Sequence, residues 1–131
     1  MHNPDLNFVN HRWRSGCSIL EKNHFNSWRW CEDKFTLELK NFSTIKKNVQ
    51  INFDIKSTSK TLSNFKIKDN LKEHGYLINN VTKNISKNIE IPPNKDVILS
   101  FFTNAPQLKT TDPRKLHVMI TNFTIETNNK Y

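Results

Sequence analysis

Apolar residues recur at every second position in Phe35-Leu37-Leu39, Val49-Ile51-Phe53-Ile55, Phe65-Ile67, Ile89-Ile91, Val97-Leu99-Phe101 and Leu116-Val118-Ile120. A period of two marks strands with one buried face. Polar residues such as Glu38, Gln50, Asn52, Asp54, Lys66 and Lys68 fill the alternate positions, so the strands have one wet face and pair antiparallel. Helical spacing is nearly absent. Turn-forming clusters separate the runs, among them Lys56-Ser57-Thr58-Ser59-Lys60, Pro92-Pro93-Asn94-Lys95-Asp96 and Asn104-Ala105-Pro106. The expected fold is an all-β, antiparallel β-sandwich of jelly-roll-like form.

In the last segment the alternation changes phase, from Leu116-Val118-Ile120 to Phe123-Ile125. One extra residue near Thr121-Asn122, a β-bulge, would return both sets to the same face. A strand bent there is expected to serve both sheets. The chain of 131 residues fits one domain, placed at residues 13–127, with an N-terminal tail at 1–12 and a C-terminal tail at 128–131.

Composition adjusts this picture. The hydrophobic fraction of 35% lies below that of an ordinary globular domain. Ile, Leu, Val and Phe still make about 27% of the chain, above the roughly 20% under which disorder is expected, so the chain folds. Lys and Arg outnumber Asp and Glu by 20 to 12, for a net charge of +8, which attracts anionic partners without choosing among nucleic acid, lipid headgroups and acidic glycans. Met1-His2-Asn3-Pro4-Asp5 lacks the basic and apolar segments of a secretory signal, and no apolar run is long enough to span a bilayer. A cytoplasmic location is expected. The only cysteines, Cys17 and Cys31, form neither a CxxC motif nor a disulfide framework; two reduced thiols are expected in preference to one bridge.

Several chemistries are excluded. With Gly16 and Gly75 as the only glycines, phosphate-cradling loops are absent and no cofactor is expected. His2, His11, His24, His74 and His117 include no HxxxH pair and match no compact zinc spacing with the cysteines, so no metal is expected. Glu32-Asp33 is read as a charged turn whose side chains diverge, which does not suit a glycosidase acid and base. Asn41-Phe42-Ser43, Asn80-Val81-Thr82, Asn84-Ile85-Ser86 and Asn122-Phe123-Thr124 match the N-glycosylation pattern, a frequent coincidence in a chain rich in Asn, Ser and Thr.

The densest feature runs from Arg12 to Trp30. It holds all three tryptophans, Trp13, Trp28 and Trp30, together with Arg12, Arg14 and Arg29. Aromatic faces beside charged groups suit sugar rings and their hydroxyls, and equally suit unstacked bases. Alternation puts Trp28 and Trp30 on one face. Either that face packs into the core, with Arg29 turned toward Glu21 or Asp112, or it meets a ligand. A second cluster, Asp112-Pro113-Arg114-Lys115-Leu116, is read as a salt-bridged turn.

The order Gly16-x-x-x-x-Glu21, Trp28-Arg29-Trp30, the strand Phe35-Leu37-Leu39 and Asp112-x-Arg114-x-Leu116-x-Val118 resembles a β-sandwich accessory domain associated with bacterial cell-surface polysaccharide glycosyltransferases and methyltransferases. Cys17 stands where that family has an aromatic residue, and His117 where it has glycine. The resemblance implies a non-catalytic carbohydrate-binding or docking module in bacterial surface-polysaccharide (O-antigen or capsule) biosynthesis. Its partner would be a saccharide or a glycan-assembly enzyme.

On this reading Trp13, His24, Phe25, Trp28, Arg12 and Arg14 contact ligand, and Glu21, Arg29, Trp30, Asp112 and Arg114 form the framework behind them. Two alternatives remain open. One is a basic, OB-like single-stranded nucleic-acid binder, disfavoured because the lysines are scattered; the other is a protein-interaction domain docking on a catalytic partner. The sequence sets no oligomeric state.

Overall fold

The computed structural model describes residues 9–24 and 26–128. Among them there is no helix, and nine strands form: β1 (Val9–Cys17), β2 (Glu21–Lys22), β3 (Ser27–Asn41), β4 (Lys47–Ser57), β5 (Ser63–Lys68), β6 (Glu73–Ile78), β7 (Lys83–Ile91), β8 (Asp96–Thr103) and β9 (Val118–Asn128). Every pairing is antiparallel. The chain is an antiparallel β-sandwich of jelly-roll form. One layer runs β6-β5-β8-β3-β1 and the other β7-β4-β9-β3-β2.

The two layers share β3. Its first residues, 28–31, pair with β9, and residues 34–40 pair with β8, while β1 and β2 follow its other edge. The strand that serves both sheets is therefore β3 and not the last strand. Glu32 and Asp33, expected in a turn, lie inside this strand of 15 residues, where it passes from one layer to the other. Residues 9–12, expected in a tail, are also strand, pairing with residues 38–41 of β3. Their alternation is hard to read because His11 stands between Val9 and Trp13.

Alternate residues meet in the core. Phe35 lies on Phe101 with ring centroids 4.7 Å apart and nearly parallel, and Phe53 from the opposite layer meets both Phe65 and Phe101 edge-on. Leu37, Leu39, Val49, Ile51, Ile55, Ile67, Ile91 and Leu99 are fully buried around them. Such aromatic contacts add specific geometry to the area they bury. The β-bulge in β9 is present: Asp54 pairs with Thr121 and Asn52 with Thr124, so β9 carries one extra residue, and Asn122 takes a left-handed φ of 54°. The bulge turns Ile120, Phe123 and Ile125 to the same inner side.

Two polar side chains hold the sandwich where apolar packing gives out. Asn41, 2% exposed, donates through Nδ2 to the carbonyls of Ile45, Ile91 and Pro92, and its Oδ1 accepts from the Ser43 amide. Lys87 on the inner face of β7 is buried, with its Nζ 2.8 Å from His74 Nδ1 and 3.6 Å from Asp69 Oδ2. An ammonium is a donor only, so Nδ1 accepts in this contact.

Cys17 and Cys31 form a disulfide, in place of the reduced thiols expected. Their separation in sequence hides a direct pairing in space: they face each other across β1 and β3 with Cα atoms 4.0 Å apart. Gly16 makes this register possible. It has φ of +85°, and a Cβ there would collide with the Lys34 carbonyl oxygen and lie 2.6 Å from Phe35 Cβ, so only glycine lets β1 bulge against β3.

Candidate functional site

The parity of β3 sets the site. Phe35, Leu37 and Leu39 point inward, and the same phase carried back through the strand points Cys31 and Arg29 inward, beside Val118 and Ile120. Trp28 and Trp30 therefore point outward, beside Thr121 and Met119 of β9. Of the two alternatives for this face, packing into the core with Arg29 outside is reversed, and Trp28, expected at the ligand, does face outward. Read as a turn, Glu32-Asp33 interrupts the phase; as strand, it transmits it.

Trp28 and Trp30 are half-buried and share a wall. With Asn26, Lys56, Thr82, Met119 and Thr121 they line a groove of 460 Å³. On the other side of Trp30 lies a second depression of 380 Å³, bounded by Gly16, Cys17, Ser18, Glu32 and the segment from Pro113 to Leu116. Trp30, expected in the framework, is thus the ridge between two hollows. Nothing in residue type distinguishes it from Trp28; the phase of β3 identifies both.

The framework expected behind the tryptophans is present in part. Arg114 donates to both Asp112 oxygens, at 2.7 Å from Nη2 and 3.1 Å from Nε to Oδ1, and to Glu21 Oε1 at 3.1 Å from Nη1. These carboxylates, Asp112 foremost, push the guanidinium further up its range, and Arg114 side-chain and backbone donors hold Asp112 below the usual carboxylate range. Glu21 faces Trp28 in register across β2 and β3, so the triad ties the loop before β9 to the edge of the tryptophan ridge. Arg29 does not join it. Its Nη1 donates to the Ser18 carbonyl at 3.0 Å, and its guanidinium carbon lies 5.5 Å from the Trp13 ring centroid.

The remaining residues expected at the ligand are dispersed. Trp13 is turned into the sandwich, its ring 5.1 Å from Phe123 and 6.2 Å from Phe101. Arg12 pairs in register with Glu38, and Arg14 approaches Glu38 Oε2 at 3.4 Å. Glu38 is roughly 33 Å along β3 from Trp28 at ~3.3 Å per residue, beyond reach of a sugar stacked on Trp28. His24 is exposed in the turn between β2 and β3, closed by the Asn23 amide on the Asn26 carbonyl at 2.9 Å. Phe25 lies outside the described residues.

No protein-family model matches the chain, and no curated protein matches it. Among solved structures, it is similar to part of the mosquito-larvicidal Cry4Aa toxin of Bacillus thuringiensis, with a TM-score of 0.52 and 14% identity over 79% of this chain and 19% of the toxin. At that identity the likeness is one of fold. A family 4 carbohydrate-binding module gives a TM-score of 0.49 and 12% identity, over 88% of this chain and 78% of that one. The CBM22-1 xylan-binding domain of Paenibacillus barcinonensis Xyn10C gives 0.49 and 11%, over 89% and 85%.

Proposed function

We propose that the protein is a non-catalytic carbohydrate-binding module whose contact surface is the Trp28–Trp30 ridge. The observation that carries this reading is the pairing of two half-buried indoles on the outer face of β3, beside a groove of 460 Å³. A sheet surface facing only water gains nothing from two tryptophans. A sugar gains from both, since its apolar C–H faces stack on the rings while its hydroxyls find polar partners at the rim. Asn26, Lys56, Thr82 and Thr121 supply those partners here. The volume falls within the ~300–1,000 Å³ of small-ligand sites, room for a short stretch of glycan.

The finer reading is that the module serves beside enzymes that assemble bacterial surface polysaccharide. It rests on the resemblance of the Gly16–Glu21, Trp28–Trp30 and Asp112–Val118 motifs alone. The Cys17–Cys31 bridge supports folding in an oxidising compartment in place of the cytoplasm.

Tryptophan fluorescence titration with neutral oligosaccharides tests the proposal. Quenching or a blue shift that saturates in the native protein and is lost in both Trp28→Ala and Trp30→Ala supports it. Equal binding by native protein and variants overturns it. Because both rings lie on the outer face of β3, away from the core, truncation is expected to lower the unfolding midpoint only modestly, and a large loss of stability would place them in the core instead.

A further inference from the structure

Arg29 lies on the inner side of β3, between the two layers, and among the described residues no carboxylate comes within ion-pair distance of it. One of its amino groups reaches the Ser18 carbonyl. The rest of the fork faces a pocket of 200 Å³ lined by His11, Trp13, Leu20, Ser27, Thr121, Asn122 and Phe123. The guanidinium stacks at 5.5 Å on Trp13, whose ring meets Phe123 edge-on at 5.1 Å, and His11 lies 5.3 Å from Phe123. A cation stacked on one aromatic face at the edge of a pocket, with no carboxylate beside it, has room for an anion.

We propose that this pocket is a binding site for a small carboxylate, with Arg29 gripping the two oxygens and the Trp13–Phe123 walls covering the apolar remainder. The planar fork favours a carboxylate, whose two oxygens match parallel N–H donors. Burial lowers the pKa of Arg29, as expected of a cation without a partner. Burial, followed by the charge of Arg29, also lowers that of His11, so Arg29 is the one full positive charge in the pocket near neutral pH and a monoanion matches it. The volume is below the ~300 Å³ of typical drug-sized sites, which limits the ligand to one ring or a simple acid. The site lies on the inner side of β3 and the Trp28–Trp30 groove on its outer face, with Thr121 bordering both.

The test is an NMR titration of the native protein with sodium glucuronate, sodium acetate and glucose at constant ionic strength, following the Arg29 Nε–H and Trp13 indole N–H signals. Saturable shifts are expected with glucuronate and, more weakly, with acetate, and none with glucose. Arg29→Gln should weaken glucuronate binding at least tenfold, and Arg29→Lys should retain part of it. Should Arg29→Gln not fold, Leu20→Trp, which fills the mouth from an exposed position, should produce a similar loss. Trp28→Ala should leave these shifts unaltered. Shifts that fail to saturate, that persist in Arg29→Gln, in Leu20→Trp, or that glucose reproduces would overturn the assignment.

Discussion

Replacing Cys17 and Cys31 together by serine removes the bond that clamps β1 to the first half of β3. The residues are 14 apart in sequence, and closing a loop of that length in the unfolded chain is worth about 3 kcal/mol at 25 °C in the chain-entropy account. For 131 residues, an unfolding entropy near 2.1 cal/mol/K per residue turns this into a fall in Tm of about 11 °C. The strands remain paired on either side of the bridge, through Trp13 with Leu37 and Glu21 with Trp28, so the fold survives. Calorimetry of the native protein, the double variant and the native protein in reductant measures the effect. Equal losses in the last two samples confirm that the bridge is the cause. A native protein whose Tm is unmoved by reductant, with two thiols titratable after unfolding without it, would refute the bridge and the Gly16 register that presents it.

Gly16→Ala places a methyl group against the Lys34 carbonyl at a left-handed φ, and a loss of about 2–4 kcal/mol in urea unfolding is expected. Asn41→Ala removes a donor from each of the Ile45, Ile91 and Pro92 carbonyls, of which Pro92 keeps the Lys95 amide, and leaves the Ser43 amide without its acceptor, for a cost of about 2–4 kcal/mol. Asn41→Asp, similar in shape but without the donors, should fare no better in the same assay. Burial opposes ionisation of Asp69, yet the Leu71 and Lys72 amides and the Lys87 charge hold its carboxyl below the ordinary value of 3.8. Its stabilising contribution is therefore complete above the unfolded pKa and lost as pH falls through the folded one. Urea midpoints measured down to about pH 2.5 should fall less steeply in Asp69→Asn than in the native protein.

The sandwich was legible in the sequence because its strands alternate cleanly, and even the β9 bulge was visible as a slip from Ile120 to Phe123. The site was legible only as a cluster. Glu32-Asp33 has the composition of a turn, yet pairing at Cys31 before it and at Lys34 after it carries β3 straight through, and propensity yields to that context. With the phase broken there, Trp30 and Arg29 exchange faces on paper. The cysteine pairing was hidden for a related reason. It depends on register, which Gly16 shifts through a bulge that no spacing rule contains. Arg12 and Arg14 are near Trp13 in sequence, but a strand carries neighbouring side chains to opposite faces.

A glycan-array comparison of the native protein with the Trp28→Ala/Trp30→Ala variant, at low and physiological salt and with single-stranded DNA and RNA alongside, tests whether the Trp28–Trp30 ridge binds sugar. Binding to a defined saccharide is expected to persist at physiological salt and to disappear in the variant. Binding only to nucleic acid, falling steeply with salt, or saccharide binding that the variant retains, would contradict it.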